Sequence, residues 1–526
     1  MPGSVAFGLN GIADWGASQP FIDVMKASRE WQGRSPSAFT SHSYDVLRAG
    51  GHLDADGHPF RIPSDADRVG TIILCEMAED DTSLNGRYRL TFTGEGDLHV
   101  HGAQNVTLGP DFVEFDFTAQ GGNLIALEIT RFDGANPIKL GPCINLKHRA
   151  AFEAGEIFRP EWLALIKGFR LFRFMDWQGT NNSLLSAWAD RPTPSSATWT
   201  LGVPVEIMVE LCNKLGVDGW FCFPHLATDD YITRFAQYVR RNLLSGLKAH
   251  YEYSNEVWNF QFEQAQWAIR QGERLWPDYI GQDGWMQFYG GRAAEMASLL
   301  DKAYAGATGY CKVITTHTAW RGLEDGILNA PRWVAMRPGR QAPKHYFDAY
   351  AVTGYFGHSL SHQEGTERVQ GWRRQGDAAA ISQMRTALEG EISNLQDVWR
   401  YQKGVADAAG LDLVMYEGGS HIVPHHPVVD ADDTLLPFLE RFHYSDDMAA
   451  LYTRAMAGFR DAGGEFFNAF VEVSRPGRYG FWGARRHTLD DNPRWQAIVT
   501  FNGANLERQP KPTSEPGLLR PFWRRR

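Results

Sequence analysis

From Phe158 to about residue 500, short apolar runs alternate with helical patterns, and this alternation constrains the chain more than any other feature. Strands separated by helices pair in parallel and need the helices as cover. One unit shows the logic. Pro204 suits a first helical turn, Ile207, Met208, Leu211, Cys212 and Leu215 form one apolar stripe, and Gly216 stops it. Trp220-Phe221-Cys222-Phe223 follows, nearly continuous in apolar residues, as a strand buried on both faces should be. Thr228 or Asp229 then caps a helix with Tyr231, Ile232, Phe235, Tyr238 and Val239 at helical spacing.

The same reading along the chain gives eight strands, at residues 5–10, 171–175, 220–223, 248–253, 311–316, 348–353, 411–416 and 465–471. Helices fit most gaps, including 285–304, 392–409 and a Ser445-capped 448–460. The predicted fold class is α/β, a (β/α)8 TIM barrel with an inserted β-sandwich domain. The insertion is read from a break in the rhythm. After a predicted helix at 21–27, the runs 88–92, 98–100, 112–117 and 124–129 lie between Gly, Asn and Asp turns, as hairpins do. In the third run Phe112, Val113, Phe115 and Phe117 are apolar, with Glu114 and Asp116 directed the other way. The expected division is residues 1–34 as a first βα unit, 35–150 as the inserted sandwich, 151–504 as the rest of the barrel, and 505–526 as a Pro/Arg-rich tail.

A formal net charge of −10 disfavours nucleic acid and other polyanions as partners, whereas a neutral polymer meets no such repulsion. Aromatic residues make up 13% of the chain, with 18 tryptophans. Large cores bury many aromatics, but indole also stacks on the apolar face of a sugar ring. The cysteines Cys75, Cys143, Cys212, Cys222 and Cys311 show no CxxC spacing, and a Cys75–Cys143 bridge is open to the sequence without support from it. His425-His426 and His99-Val-His101 have metal-like spacing without a third ligand, so neither a metal nor a cofactor is expected. No run is apolar enough to span a membrane, and Met1-Pro2 runs directly into a strand pattern. The expectation is a secreted or periplasmic protein with its leader removed, with a cytoplasmic one as the alternative. Oligomeric state is left open.

In the barrel fold, chemistry gathers at the C-terminal ends of the strands. Past the fourth predicted strand stands His-Tyr-Glu-Tyr-Ser-Asn-Glu-Val-Trp-Asn, from His250 to Asn259, bringing Asn255, Glu256 and Trp258 to that end. The seventh closes on Glu417, followed by two glycines that allow a tight turn and close backbone approach. At the second, Arg173 with Asp176 and Trp177 fits an ordinary buried ion pair equally well. Two carboxylates about 5–5.5 Å apart are what a retaining glycosidase requires, one protonated to assist the leaving oxygen, the other ionised to attack the anomeric carbon.

These residues resemble clan A of the retaining glycoside hydrolases, and Glu-Tyr-Ser-Asn-Glu-Val-Trp-Asn resembles a bacterial subset with an appended β-sandwich. The resemblance implies Glu256 as acid/base, Glu417 as nucleophile, Arg173 steadying the nucleophile's charge, Asn255 on the sugar 2-hydroxyl and Tyr355 hydrogen-bonded to the nucleophile. It also implies His225 and His317 as subsite histidines and Trp482 as a platform after the eighth strand. Trp177 and Trp258 add candidate stacking surfaces. The expected function is hydrolysis of β-glycosidic bonds in a poly- or oligosaccharide, with an endo-acting β-glycanase if the cleft is open. A transglycosylase using the same pair and a non-catalytic carbohydrate-binding protein are the alternatives.

Overall fold

The computed structural model describes residues 4–36 and 38–505. Eight parallel strands form one sheet: β1 Ser4–Gly8, β2 Leu171–Arg173, β3 Asp218–Phe223, β4 Ala249–Tyr253, β5 Tyr310–Thr315, β6 Ala349–Phe356, β7 Asp412–Ser420 and β8 Phe466–Phe470. Neighbours in sequence are neighbours in the sheet, and β8 returns to pair with β1. At the remaining seam the backbone N–H of Glu465 donates to the carbonyl of Leu413 at 2.9 Å, and the Asn468 side chain donates to the Tyr416 carbonyl at 2.8 Å. The sheet is thus a (β/α)8 barrel, with the strands within a few residues of their predicted positions.

Helices cover it as the apolar stripes require. Val205–Leu215 ends on Gly216 in the left-handed conformation, where a Cβ would be penalised. Thr228 caps Asp229–Asn242 by accepting from the Tyr231 N–H, and Ser445 caps Asp446–Asp461 in the same way. The helix expected at 392–409 begins far earlier and runs Asp377–Ala409.

Inside the barrel, side chains are layered. Trp220, His250 and Phe466 meet with ring centroids 5.9 to 6.2 Å apart. Because strand side chains alternate faces, Cys222 and Glu252, two residues further on, form the next layer. Arg173 joins them there.

The first interval departs from expectation in an instructive way. Residues 21–27 form no regular helix; only Val24–Ala27 make a 3-10 turn, and Phe21 and Asp23 are held by bridges to Phe158 and Ile144. The helix that leads into β2 is Pro160–Ile166, so the inserted strands precede it rather than follow a first barrel helix. Those strands form a five-stranded and a four-stranded antiparallel sheet. Val69, Ile73 and Leu127 of one share a core with Tyr88, Val113 and Phe115 of the other. Phe112 lies on the outer face beside Glu114 and Asp116, covered by the Arg89 guanidinium 4.3 Å from its ring, contrary to the pattern expected. Buried Arg159 ties the two parts together, donating to the Gln19 carbonyl at 3.0 Å and to the Ser83 hydroxyl at 2.6 Å.

All five cysteines are free and buried, so no Cys75–Cys143 bridge forms. Among the described residues no helix is long and apolar enough to cross a membrane, and no group of three His, Cys, Asp or Glu could hold a metal. The predicted tail at 505–526 falls almost entirely outside the described residues.

Phe115 is fully buried and stacked on Tyr88 at 5.7 Å. Its replacement by Ala should lower the unfolding free energy by about 3–5 kcal/mol in urea titrations. A loss under about 1 kcal/mol would show that the sandwich core is not packed as described.

Candidate active site

Beyond β4 the backbone turns sharply. Ser254 and Glu256 both have left-handed φ, +63° and +40°, which costs a non-glycine residue about 1–3 kcal/mol and persists only where surroundings enforce it. Here they do. The Ser254 N–H donates to the Phe223 carbonyl at 2.8 Å, Gln264 to the Asn255 carbonyl at 2.9 Å, and the Asn259 N–H to the Glu256 carbonyl at 2.8 Å. The turn presents half-buried Glu256 to a cavity of about 640 Å³, where its carboxylate accepts from the Tyr416 hydroxyl and the Asn259 amide, each at 3.0 Å.

Glu417 reaches the same cavity from β7. That strand does not stop at Glu417 but runs on to Ser420, in register with an equally extended β6. Gly418 and Gly419 are therefore strand residues and make no tight turn. They do permit close approach: a Cβ on Gly419 would lie 2.6 Å from the Tyr452 hydroxyl. The pairing slips at one point, Val352 facing Met415 and Thr353 facing Glu417, which leaves Tyr416 as the extra residue of a β-bulge. Simple alternation would send Tyr416 and Glu417 to opposite faces. With the bulge, both line the cavity.

The Glu417 carboxylate accepts from Arg173 at 2.6 Å and from the Tyr355 hydroxyl at 2.8 Å. Arg173 does not pair with Asp176. Its other partners are the buried Glu252, through Nε at 3.1 Å and Nη2 at 2.8 Å, and the Asn255 side-chain oxygen Oδ1 at 2.8 Å. Its guanidinium carbon lies 5.5 and 5.2 Å from the rings of Trp220 and Tyr416. One cation thus serves two buried carboxylates. Burial pushes the Glu417 carboxyl up to about 8; Arg173 and Tyr355 oppose the shift, while the charges of Glu256 and Asp176 reinforce it. Burial outweighs the pull of Arg173, whose guanidinium also pairs with Glu252. Burial raises Glu252 as well, against the pull of Arg173.

Glu256, Trp258, His317, Tyr355, Glu417 and Trp482 line one cavity, and Arg173 and Asn255 support it from behind. The Asn255 amide is committed at both ends, to Arg173 and to Asn181, and is not part of the lining. His225 and Trp177 lie elsewhere. His225 is buried edge-on to Trp267 and is not part of the cavity lining. Trp177 is core, 1% exposed, stacked on Trp162 at 5.9 Å with its indole N–H on the Asn10 carbonyl. The sequence reading passed over Tyr416, Asn259, Glu252 and the pair His358 and His421. Glu252 carried a signal, since an acid inside a fully buried strand demands a partner.

No family model matches the chain, and no curated protein matches it. Among solved structures it is similar to a 4-O-α-L-rhamnosyl-β-D-glucuronidase from Fusarium oxysporum, with 11% identity and a TM-score of 0.36, covering 65% of this chain and 62% of that one. It is also similar to an endo-1,4-β-D-xylanase of Clostridium thermocellum solved with xylohexaose, with 10% identity and a TM-score of 0.37, covering 94% and 97%. An endo-β-1,4-mannanase from Thermotoga petrophila gives 12% identity and a TM-score of 0.29, covering 66% and 74%. Likeness at such scores carries no information about the reaction, and barrels host many chemistries.

The elevated Glu417 has a consequence for stability. Its folded pKa lies above the value of a free carboxyl, so the fold loses stability as pH rises from about 4.5 to about 8 and no further above that. Glu417→Gln, which keeps an oxygen for Arg173, should therefore gain on the parent across that window, reaching about 1–3 kcal/mol near pH 8. Denaturant unfolding at pH 4.5, 6 and 8 measures this. A gain that is flat with pH would contradict it.

Proposed function

We propose that this protein is a retaining glycoside hydrolase of the clan A type, cleaving β-glycosidic bonds of a poly- or oligosaccharide by double displacement. The observation that carries the reading is the pair Glu256 and Glu417, one on the turn after β4 and one on β7, in a single cavity with different partners. In the proposed reaction a Glu417 carboxylate oxygen attacks the anomeric carbon while Glu256 gives its proton to the departing glycosidic oxygen. A glycosyl-enzyme ester forms and the first product leaves. Glu256 then takes a proton from water, the water oxygen displaces Glu417 from the anomeric carbon, and the product keeps its starting configuration.

The surroundings suit these roles. Arg173 and Tyr355 hold Glu417 by two charge-assisted hydrogen bonds, fixing the carboxylate plane and stabilising its negative charge. Glu256 accepts from the Tyr416 hydroxyl and the Asn259 side-chain amide, which orient it in the cavity. Trp258 and Trp482 supply apolar walls, and His317 a polar one. The cavity lining includes half-exposed Phe260 and Trp320 at its rim, which favours a cleft that admits a chain from the side and hence endo action.

Glu417→Gly should lower turnover of an activated aryl β-glycoside by about 10⁴-fold or more, with azide restoring part of it as the α-glycosyl azide. NMR of the first product of the parent enzyme should show retention. Near-normal activity of the variant, or inversion, would remove the mechanism.

Attack needs Glu417 ionised, so activity should rise with pH through its titration. Since Glu417 is pushed up to about 8, the acidic limb of kcat/KM should lie well above pH 4.5. Glu252→Gln frees Arg173 for Glu417 alone and removes a negative charge, so it should move that limb to lower pH. A limb unmoved, or moved upward, would show that the two carboxylates do not share the cation. Both limbs belong to the coupled carboxylates together.

A further inference from the structure

Trp320 is 46% exposed and Phe260 50% exposed, yet both line the cavity that holds the two glutamates. Half-buried Trp285 joins them, its ring 5.1 Å from Phe260 and 6.4 Å from Trp320. Phe260 and Trp320, backed by the partly buried Trp285, leave an apolar surface open at the cavity, as binding surfaces do. The backbone that carries two of the rings is held in place. The Trp320 backbone N–H donates to Nδ1 of His317 at 3.1 Å, and the Gln266 side chain donates to the Phe260 backbone carbonyl at 2.8 Å.

The charges around the cavity are one-sided. Among the described residues its lining contains no lysine or arginine, and its formally charged members are Glu256 and Glu417. Three histidines, His317, His358 and His421, complete the polar wall. His317 accepts at Nδ1, so that nitrogen is bare and the ring uncharged. Burial lowers all three, His421 to about 4, so none is an imidazolium at neutral pH. The arginine next to Trp320, Arg321, lies over the Tyr401 ring at 4.7 Å and is not part of the lining. A carboxylate, sulfate or phosphate on a sugar would find repulsion here and no cation to replace its water.

We propose that Phe260, Trp285 and Trp320 form a stacking platform for an uncharged pyranose ring, and that the cleft takes a neutral glycan rather than an acidic one. The apolar face of such a ring covers the indole and phenyl surfaces, while its hydroxyls meet Asn259, His317 and Thr318 in the wall. This inference rests on the glycosidase reading for its choice of a sugar, but binding alone tests it.

The test uses the full chain carrying Glu417→Gln, titrated calorimetrically with neutral hexasaccharides of β-linked glucose, mannose, xylose and galactose and with a hexagalacturonate. A neutral hexasaccharide should bind most tightly, and adding Trp320→Ala should weaken it about tenfold. Phe260→Ala should weaken it in the same direction, and the melting temperatures of both variants should stay near the parent's, since both side chains are half exposed. The platform is overturned if the hexagalacturonate binds tightest, or if both replacements leave the neutral affinity within twofold. The two readings fail separately. Neutral binding that depends on Trp320, with no cleavage by the parent protein, would remove the hydrolase and keep the platform. Cleavage of a neutral glycan with affinity indifferent to Trp320 and Phe260 would do the reverse.

Discussion

A single buried guanidinium organises the mouth of this barrel. Arg173 is 1% exposed, ends the short β2 strand, and is shared between Glu252 in the barrel interior and Glu417 at the cavity. Desolvating a cation is costly unless hydrogen bonds and counter-charges offset it. Here two carboxylates, the Asn255 oxygen and two aromatic faces do so. The arrangement holds one positive charge against two potential negatives, so the cluster cannot ionise both carboxylates without leaving one poorly compensated. Burial is the main reason the Glu417 carboxyl is pushed up, with Arg173 pulling against it, and removal of any one member of the cluster would redistribute the rest.

Both cavity glutamates depend on irregular backbone set in a regular frame. A β-bulge on β7 puts Tyr416 and Glu417 on one side, and two left-handed residues after β4 bring Glu256 around to meet the Tyr416 hydroxyl. Neither device would hold on an isolated loop. The bulge is clamped between β6 and the β8 seam, where Asn468 holds the Tyr416 carbonyl. The turn is clamped by Phe223, Gln264 and its own Asn259. The barrel thereby supplies the rigidity and the irregularities supply the aim.

This division explains what the sequence disclosed. The eight strands were legible because a parallel barrel strand is buried on both faces, and runs such as Trp220–Phe223 have no other comfortable place. Glu256 and Glu417 were legible as acids next to such runs. Of their immediate partners, Arg173 and Tyr355 came from the resemblance and not from the residue pattern, and Tyr416 and Asn259 from neither. Tyr416 is invisible to a period of two because the bulge shifts that period, and Tyr355, expected past the sixth strand, falls inside β6 because β6 and β7 extend together beyond their apolar stretches. Trp177 and His225 failed for the opposite reason, since adjacency to a strand end does not say whether a ring turns towards the cavity or the helical layer. The helix at 21–27 failed because its apolar residues serve contacts with the inserted sheets, where Val24 and Met25 are buried.

Electrostatic tuning and recognition come from different sides of the site. The cation acting on Glu417 is Arg173, which approaches from inside the barrel, and the cavity histidines stay neutral. A protonated imidazole in the wall would compete with Arg173 for the carboxylates and make the charge of Glu417 depend on whatever bound there. With neutral walls, the wall residues can be exchanged to suit different ligands while the charge on Glu417 remains set from beneath by burial and Arg173. In the proposed reaction, changes of specificity should therefore concentrate in the loops bearing Phe260, Trp320 and Trp482, and changes in pH dependence in the interior layer that Glu252 and Arg173 occupy.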